Sequence, residues 1–181
     1  MTAEGEELDA SEAYLKPPKA GSADPWTTQA KTAGGVPGQR LISAGVVPAP
    51  ARVASALGLT AGQPVVSRTR LVLLNDRAVE VVVSYFPVEI AGATALAERR
   101  RIRGGHVALL ADLGFRTASA PEEVRARPIS SEELEILDAS AEDWVFDVFR
   151  TVFDQAGTAF EVTQMTMLAR ERTLHYTVQI G

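Results

Sequence analysis

The fold follows mainly from two similar segments: LGLTAGQPVVSRTRLVLL, from Leu57 to Leu74, and LDASAEDWVFDVFRTVFD, from Leu137 to Asp154. An offset of 80 residues aligns the two stretches and places Arg70 on Arg150. Each copy reads as the end of a helix, a short turn and the first strand of a β-hairpin. We interpret the match as a structural duplication; chance similarity between two amphipathic hairpins is the alternative.

The rest of the chain from residue 39 onward reads as alternating strands and helices. The predicted strands are Gln39–Val47, Pro64–Leu74, Ala78–Phe86, the edge segment Phe115–Ile129, Trp144–Asp154, Thr158–Leu168 and Leu174–Ile180. The predicted helices are Pro50–Leu57, Val88–Arg101, His106–Leu113 and Ser130–Leu137. Adjacent hairpins with grouped helices predict an α+β fold built on an antiparallel β-sheet with flanking helices.

The second strand of each hairpin contributes a glutamate to the repeat. Past the turns the offset becomes 81 residues, so that Glu80 aligns with Glu161. A four-residue loop in the second hairpin would pair Phe153 with Thr158 and would set Arg150 directly opposite Glu161.

The first hairpin is one residue shorter, which predicts a loop with an odd number of residues. Because side chains alternate along a strand, an odd loop places Glu80 on the same face as Arg68 and Arg70. The other face then carries an apolar set: Leu71, Leu73, Val79, Val81, Val83 and Tyr85. One face is therefore predicted to pack a core, and the other to carry the charged side chains Arg68, Arg70, Glu80, Arg150 and Glu161 among apolar neighbours.

Charged side chains inside strands need partners, and two interpretations stay open. In the first, Arg70 pairs with Glu80 and Arg150 pairs with Glu161, each pair contributing about 0.2–1 kcal/mol when exposed. In the second, guanidinium groups at positions i and i+2 bind a carboxylate or phosphate, and the nearby carboxylates accept hydrogen bonds from the same ligand. Arg68 favours the ligand site, because no carboxylate is predicted opposite it.

A second candidate ligand segment is Gly104-Gly105-His106, just before a predicted helix. Glycines at a helix start leave backbone N–H groups open to an anion, and the helix dipole favours negative charge there. A tight connection without a ligand is the alternative for the glycines, and a structural role is the alternative for the histidine.

Composition divides the chain near residue 38. All three Lys lie before it and all fifteen Arg lie after it, and the first stretch is rich in Pro and Gly. This pattern predicts a flexible arm or linker over residues 1–38 and a folded domain over residues 39–181. Trp26 is the exception within the arm, and we expect it to anchor the arm to the domain; an exposed Trp is the alternative.

Composition also excludes several classes of function. The chain has 181 residues and a formal net charge of −5. Because it contains no Cys, neither a thiolate nucleophile nor a cysteine zinc site is available. Its one dense basic run, around Arg99–Arg103, is too small for DNA binding by itself. No phosphate-binding Gly-rich loop and no G-x-S-x-G motif occurs, and no apolar run approaches the ~18 residues of a membrane span. We expect a cytoplasmic protein without catalytic residues, metal or cofactor.

The order of several motifs carries a resemblance to a known family. LGLTAGQPVVSRTR, followed by NDRAVE and SYFP and later by DWVFDVFRTVFDQAGTAFEV, resembles the effector-binding (UTRA) domain of GntR-type transcriptional regulators of the HutC subfamily. The resemblance covers about residues 39–181. It implies a fold similar to chorismate lyase, assembly as a homodimer, and sensing of a small effector.

The resemblance also implies a set of ligand-binding residues. In relatives that bind phosphorylated sugars, the R-x-R pair holds the anion, and the hairpin glutamates and small residues before a helix contact the remainder. Carried over, and together with Arg150 from the repeat, the candidate ligand-binding set is Arg68, Arg70, Glu80, Gly104, Gly105, His106, Arg150 and Glu161.

The sequence departs from the family pattern at three places. Gly104-Gly105 stands where serines are frequent, Met167 stands where an aromatic is frequent, and the family ending R-x-D-R-Y-x-F is lacking, so the ligand need not be a sugar phosphate. The winged-helix DNA-binding domain that normally precedes this domain is not among the 181 residues, so the chain is expected to be a fragment or a free-standing sensor. A chorismate-lyase-like enzyme for a small dicarboxylate, using Arg70 and Glu161, and a purely structural dimerisation module remain alternatives.

Overall fold

The structure is a computed structural model that describes residues 14–16, 25–32 and 34–174. Its helices are α1 (Pro25–Thr32), α2 (Ala51–Ala56), α3 (Val88–Ala91), α4 (Gly105–Asp112) and α5 (Ser131–Leu137). Its strands are β1 (Pro37–Pro48), β2 (Pro64–Leu74), β3 (Arg77–Pro87), β4 (Glu122–Pro128), β5 (Trp144–Phe153) and β6 (Ala159–Leu168), followed by a 3-10 turn over Ala169–Glu171. The predicted strand Leu174–Ile180 lies outside the described residues except for Leu174.

Six antiparallel strands form one sheet in the order β1-β2-β3-β6-β5-β4. The order is symmetric about the β3–β6 pair, because each half of the sheet is built from a strand, a helix and a hairpin. The first unit is β1-α2-β2-β3 and the second is β4-α5-β5-β6. The predicted α+β antiparallel fold and its internal duplication are therefore confirmed, and the duplication includes an edge strand in each half.

The first hairpin places Glu80 on the predicted face, but by a different route. Its loop has two residues, Asn75 and Asp76, both with positive φ, as a type I′ turn requires. An even loop alone would turn Glu80 away from Arg70. A β-bulge at Val79 restores the alternation, so the predicted odd loop is wrong while the predicted face of Glu80 is right.

The bulge also moves one residue of the predicted apolar face. Val79 packs in a cluster with Val72 and Val82, on the face that carries Arg70, instead of on the opposite face.

The second hairpin has a longer loop than the sequence predicted. Phe153 pairs with Ala159, so the loop has five residues, and a bulge at Phe160 follows it. Consequently Glu161 lies opposite Val152 rather than opposite Arg150. The predicted direct opposition of Arg150 and Glu161 is wrong, although both side chains belong to the same face of the sheet.

Helices cover both faces of the sheet. The duplicated helices α2 and α5 cover one face: α2 packs against a cluster around Val65, Phe149 and Val162, and α5 packs against Leu71 and Val145. The face that was predicted to be charged is covered as well, by α1, α3, α4 and the turns between α3 and α4. Apolar side chains therefore pack on both faces, and the charged residues lie among apolar neighbours as predicted, although the coverage of this face by helices was not predicted.

The predicted helix Val88–Arg101 is present only over its first turn. α3 ends at Gly92, a position that suits glycine because a Cβ there would lie 2.7 Å from the Val88 carbonyl oxygen. Beyond it, Thr94 bonds locally to the backbone, accepting from Leu96 N at 3.1 Å and donating to Ala91 O at 2.8 Å. Such local side-chain bonds compete with helix formation. Among the described residues, no helix is both long and apolar enough to cross a membrane.

Trp26 fixes α1 on the sheet. Its side chain is 4% exposed, packs with Val72 and Met165, and its indole N–H donates to the Leu73 carbonyl oxygen at 3.1 Å. The expected anchoring role of Trp26 is therefore observed. Helix α1 covers one part of the sheet face that carries Arg70 and Glu80.

Candidate functional site

The register of the sheet lines up polar residues in a row across the face under α1 and α4. Direct cross-strand pairs run from β2 to the edge strand β4: Arg68, Ser84, Thr163, Arg150 and Glu122. The neighbouring row runs through Arg70, Val82, Met165 and Val148. A polar row thus borders an apolar row that begins at a guanidinium group.

A cavity of about 130 Å³ lies over these rows. Five predicted site residues line it: Arg70, Glu80, His106, Arg150 and Glu161. Its other lining residues are Tyr14, Leu15, Trp26, Gln39, Val72, Val82, Thr163, Met165, Met167, Arg172, Thr173 and Leu174. The structure thus brings most of the predicted site together around one cavity, which we treat as the candidate functional site.

Arg68 does not belong to this cavity. Its guanidinium is buried and donates to the carbonyl oxygens of Ala95, Leu96, Glu98 and Arg100 at 2.8–3.0 Å. Burial, and secondarily the charge of Arg70, lower the pKa of Arg68 from its ordinary value. The prediction that Arg68 faces the ligand cavity is wrong: it holds the turns that replace the predicted helix.

Glu80 pairs with an arginine from the end of the described chain. Arg172 Nη2 donates to Glu80 Oε2, and the Arg172 guanidinium carbon lies 4.1 Å from the centre of the Trp26 ring. Stacking on an aromatic face and a carboxylate contact together suit a guanidinium in a partly apolar site. Arg70 was the predicted partner of Glu80, and the partner observed at hydrogen-bond distance is Arg172.

Glu161 pairs with His106 at the start of α4. His106 Nε2 lies 3.2 Å from Glu161 Oε1, and the Thr163 hydroxyl donates to the same oxygen at 2.8 Å. Burial raises the pKa of the Glu161 carboxyl, but His106, Thr163 and the charge of Arg150 outweigh it and lower that pKa to about 2. Glu161 is therefore an ionised, buried carboxylate at neutral pH.

Arg150 is held by the edge strand instead of by Glu161. Arg150 Nε and Nη2 both lie 2.6 Å from Glu122 Oε1, and both side chains are about one-tenth exposed. The prediction that Arg150 pairs with Glu161 is therefore wrong, because Arg150 pairs with Glu122. The mistake follows from the register, because Glu122 stands directly opposite Arg150 on an edge strand whose pairing could not be predicted from the sequence.

Gly104 and Gly105 do not line the cavity, although His106 does. Both glycines have φ near +80°, and the Gly105 N–H donates to the Ile102 carbonyl oxygen at 3.1 Å. Their left-handed backbone explains why glycine is suited to both positions. In this structure they shape the turn that aims His106 at Glu161, which is the tight-connection alternative.

Arg70 stands at the cavity edge between two apolar neighbours. Leu41 is its partner on β1, and Val82 is its partner on β3. Neither adjacent strand therefore presents a carboxylate directly opposite this guanidinium.

Sequence reasoning missed several cavity residues. Arg172 and Thr163 were not among the candidates, and Met165 was not singled out. Arg172 lacks a motif of its own, whereas the alternation of Glu161, Thr163, Met165 and Met167 along one strand already indicated a shared face.

Two further observations concern metal ligands and the space next to the site. In the part of the chain that the structure describes, no group of three or more His, Asp or Glu is placed to hold a metal ion. A second cavity, of about 250 Å³, adjoins the first at Leu15 and Glu161 and extends along α4 to Phe115 and Gln155.

Comparisons with known proteins give a consistent result. Residues 32–171 match the UTRA domain family. Over 118 residues the chain is 34% identical to an uncharacterised HTH-type transcriptional regulator of Streptomyces coelicolor, covering 64% of this chain and 44% of that protein. The chain thus spans less than half the length of this relative.

Solved structures share the fold. The effector domain of PhnF from Mycobacterium smegmatis has a TM-score of 0.72 and 21% identity, covering 91% of this chain and 99% of that one. A GntR-family transcriptional regulator from Bacillus cereus has a TM-score of 0.69 and 15% identity, covering 79% and 99%. At such identities the likeness concerns the architecture of the sheet and its helices.

Proposed function

The chain belongs to the UTRA-domain family of GntR-type transcriptional regulators, and on this premise we propose that it senses a small anionic effector in the cavity under α1. Arg70 is the residue that binds the anion in this proposal. The observation that carries it is that Arg70 lines the cavity with Leu41 and Val82 as its direct cross-strand neighbours.

Electrostatics supports an anion at this position. Arg68 and Arg70 lie two residues apart on one face of β2, and the charge of Arg70 disfavours the charged form of Arg68. An anion bound to Arg70 would offset this repulsion. A guanidinium fork between apolar neighbours also forms stronger bonds to a carboxylate or phosphate than it would in water.

We place His106, Glu80, Glu161 and Arg150 around the remainder of the effector. The first two lie at opposite ends of the cavity lining, each engaged with a charged partner. A ligand that displaces one of these charged partners would bind well only to the arrangement of the site in which that ion pair is broken. Differential affinity of this kind is what an effector needs in order to shift a conformational equilibrium.

We further propose that the domain acts as a cytoplasmic homodimer of the HutC type and controls transcription through a winged-helix DNA-binding domain. The effector would change the arrangement of that dimer. Size-exclusion chromatography with light scattering should give twice the mass of one chain, and the isolated chain should not retard a defined operator at physiological salt. A monomer, or sequence-specific DNA binding by these residues alone, would contradict this assembly.

The anion proposal is tested by a thermal-shift screen of sugar phosphates, amino acids and aromatic acids, followed by calorimetry. Arg70→Lys keeps the charge but loses the planar fork, so the affinity for an anion that binds should fall about 10-fold or more, or on the order of 1.5–3 kcal/mol. Arg125→Lys, at an exposed position on β4, is the control and should change nothing.

The opposite result is equally clear. If Arg70→Lys lowers the unfolding temperature and leaves the affinity unchanged, the residue is structural and does not bind the anion. Turnover of the bound compound would point to the enzyme alternative instead.

A further inference from the structure

The wall of the cavity beyond Arg70 is apolar. Val72, Val82, Met165 and Met167 project from three adjacent strands and are each at most 8% exposed, and Trp26 closes over them from α1. These side chains form one packed cluster. A ligand that extends from the guanidinium along the row of Val82 and Met165 therefore meets hydrocarbon and sulfur, whereas the rows on either side hold polar side chains.

Several polar groups of the cavity already have hydrogen-bond partners within the protein. The Trp26 N–H donates to a backbone carbonyl, and the Thr163 hydroxyl bonds both Glu161 and Ser84. Glu80 bonds Arg172. A polyhydroxylated ligand would need several new partners here, and each hydroxyl left without one carries a desolvation cost.

The dimensions fit a compact body. An engineered cavity of about 150 Å³ in another protein binds benzene, and this cavity measures about 130 Å³ without the second cavity that adjoins it at Glu161. Arg70, Val82 and Met165 are consecutive cross-strand neighbours. They therefore span two strand spacings, about 9–10 Å, which is long enough for an anionic group on the guanidinium and a six-membered ring over the two apolar residues.

We infer that the effector is a small organic anion with a compact apolar body, about the size of one six-membered ring, and not a sugar phosphate. This inference rests on the proposed function, because it assigns the anionic group to Arg70. The ring packs on Val82 and Met165 beneath Trp26. Met side chains suit this role, since their thioethers adapt to and favour aromatic edges.

The test compares four probes by calorimetry on the full chain: benzoate, cyclohexanecarboxylate, glucose 6-phosphate and benzyl alcohol. The two ring carboxylates should bind at least ten-fold more tightly than glucose 6-phosphate. Benzyl alcohol, which has the ring without the charge, should also bind at least ten-fold more weakly than benzoate.

A pair of variants tests the apolar wall directly. Met165→Gln keeps the length of the side chain but adds an amide, and it should weaken benzoate binding at least five-fold. Met165→Leu keeps the wall apolar and should stay within about three-fold of the unmodified chain. Melting temperatures of both variants without ligand show that each remains folded.

The outcomes separate this inference from the proposed function. If glucose 6-phosphate binds more tightly than both ring carboxylates and Arg70→Lys weakens it, the apolar body is wrong and anion sensing stands. If benzyl alcohol equals benzoate, the apolar wall stands and the anion proposal is wrong. If none of the four probes binds, and no anion of the wider screen does either, both are overturned.

Discussion

In the first hairpin Arg70 borders the cavity and Glu80 binds Arg172, whereas in the second hairpin Arg150 binds Glu122 and Glu161 binds His106. The two arginines and the two glutamates occupy equivalent positions of one duplicated unit. Even the bulge that precedes each glutamate is repeated. The backbone of the duplication is thus shared while its charge partners differ.

The edge strands explain the difference between the two arginines. Opposite Arg150, the edge strand β4 presents Glu122; opposite Arg70, the edge strand β1 presents Leu41. The edge strand therefore supplies a carboxylate to the arginine of the second hairpin and an apolar side chain to the arginine of the first. The proposed anion site in the first copy relies on this difference at one edge-strand position.

The largest effect is expected from the arginine that has no counterpart in the repeat. The offset of 80 aligns Arg68 with Val148, and the buried Arg68 guanidinium bonds four carbonyl oxygens. Arg68→Met should lower the free energy of unfolding by about 3 kcal/mol or more, because those carbonyls lose charged donors. Arg70→Met, two residues away, should cost less than about 1 kcal/mol. Urea denaturation measures both.

Equal losses in these two variants would contradict the distinction between a structural and a ligand-facing arginine. A loss of anion binding in Arg68→Met that exceeds its effect on folding would contradict it as well.

The glutamate of the second hairpin should make stability depend on acid. The pKa of Glu161 is about 2 in the folded chain and about 4.3 in an unfolded one, so its contribution is fully present above pH 4.3 and is lost as the pH falls toward 2. The loss is on the order of 3 kcal/mol. Glu161→Gln should therefore be less stable than the unmodified chain at pH 6, and the difference should shrink by pH 2.5. A difference that stays constant with pH would show that the charge of Glu161 contributes nothing.

The sequence was sufficient for the duplication, the strands and the shared face, because those follow from local alternation and from the match between the two copies. It was insufficient for the pairing of charges. Arg172 lies 92 residues from Glu80, and Glu122 lies 28 residues from Arg150. Alternation fixes which face a side chain takes, but not which distant segment comes to lie over that face.

The predicted helix Val88–Arg101 failed for a related reason. Its pattern is helical, yet Gly92 ends the first turn, and the carbonyls of the following turns point to Arg68 on a strand. A tertiary contact overrode local propensity there. The face of Glu80 was predicted correctly only because the bulge at Val79 compensated for the two-residue turn.

The ion pair of the second hairpin can be built into the first hairpin by one substitution on its edge strand. Leu41→Glu places a carboxylate opposite Arg70, as Glu122 stands opposite Arg150. The new pair should compete with a bound anion and weaken its binding about 5- to 10-fold, which corresponds to about 1–1.4 kcal/mol. Leu41→Gln is the control without charge and should weaken binding less than two-fold. Calorimetry with the anion found in the screen decides; equal effects of both variants would show that competition for Arg70 is not the cause.

The smallest expected effect concerns the starts of the two duplicated helices, where the offset of 80 aligns Pro50 with Ser130. Ser130 accepts a hydrogen bond from the Glu133 N–H, and Glu133 Oε2 accepts one from the Ser130 N–H at 2.9 Å, which completes a capping box. Pro50 makes no side-chain cap bond, although its backbone is extended in the same way. Ser130→Ala should therefore cost about 1 kcal/mol of unfolding free energy.

A serine hydroxyl introduced at position 50 should stabilise the first helix less than Ser130 stabilises the second. Val53 occupies the position equivalent to Glu133, and its side chain cannot accept a hydrogen bond from the backbone N–H of residue 50. Pro50→Ser should thus be more stable than Pro50→Ala by about 0.5 kcal/mol, and comparing these two variants cancels the effect of removing proline from the unfolded chain. Urea denaturation at pH 7 resolves both differences when the slopes are shared. If the hydroxyl contributes as much at position 50 as at position 130, the reciprocal bond from Glu133 adds nothing, and the two helix starts are energetically the same.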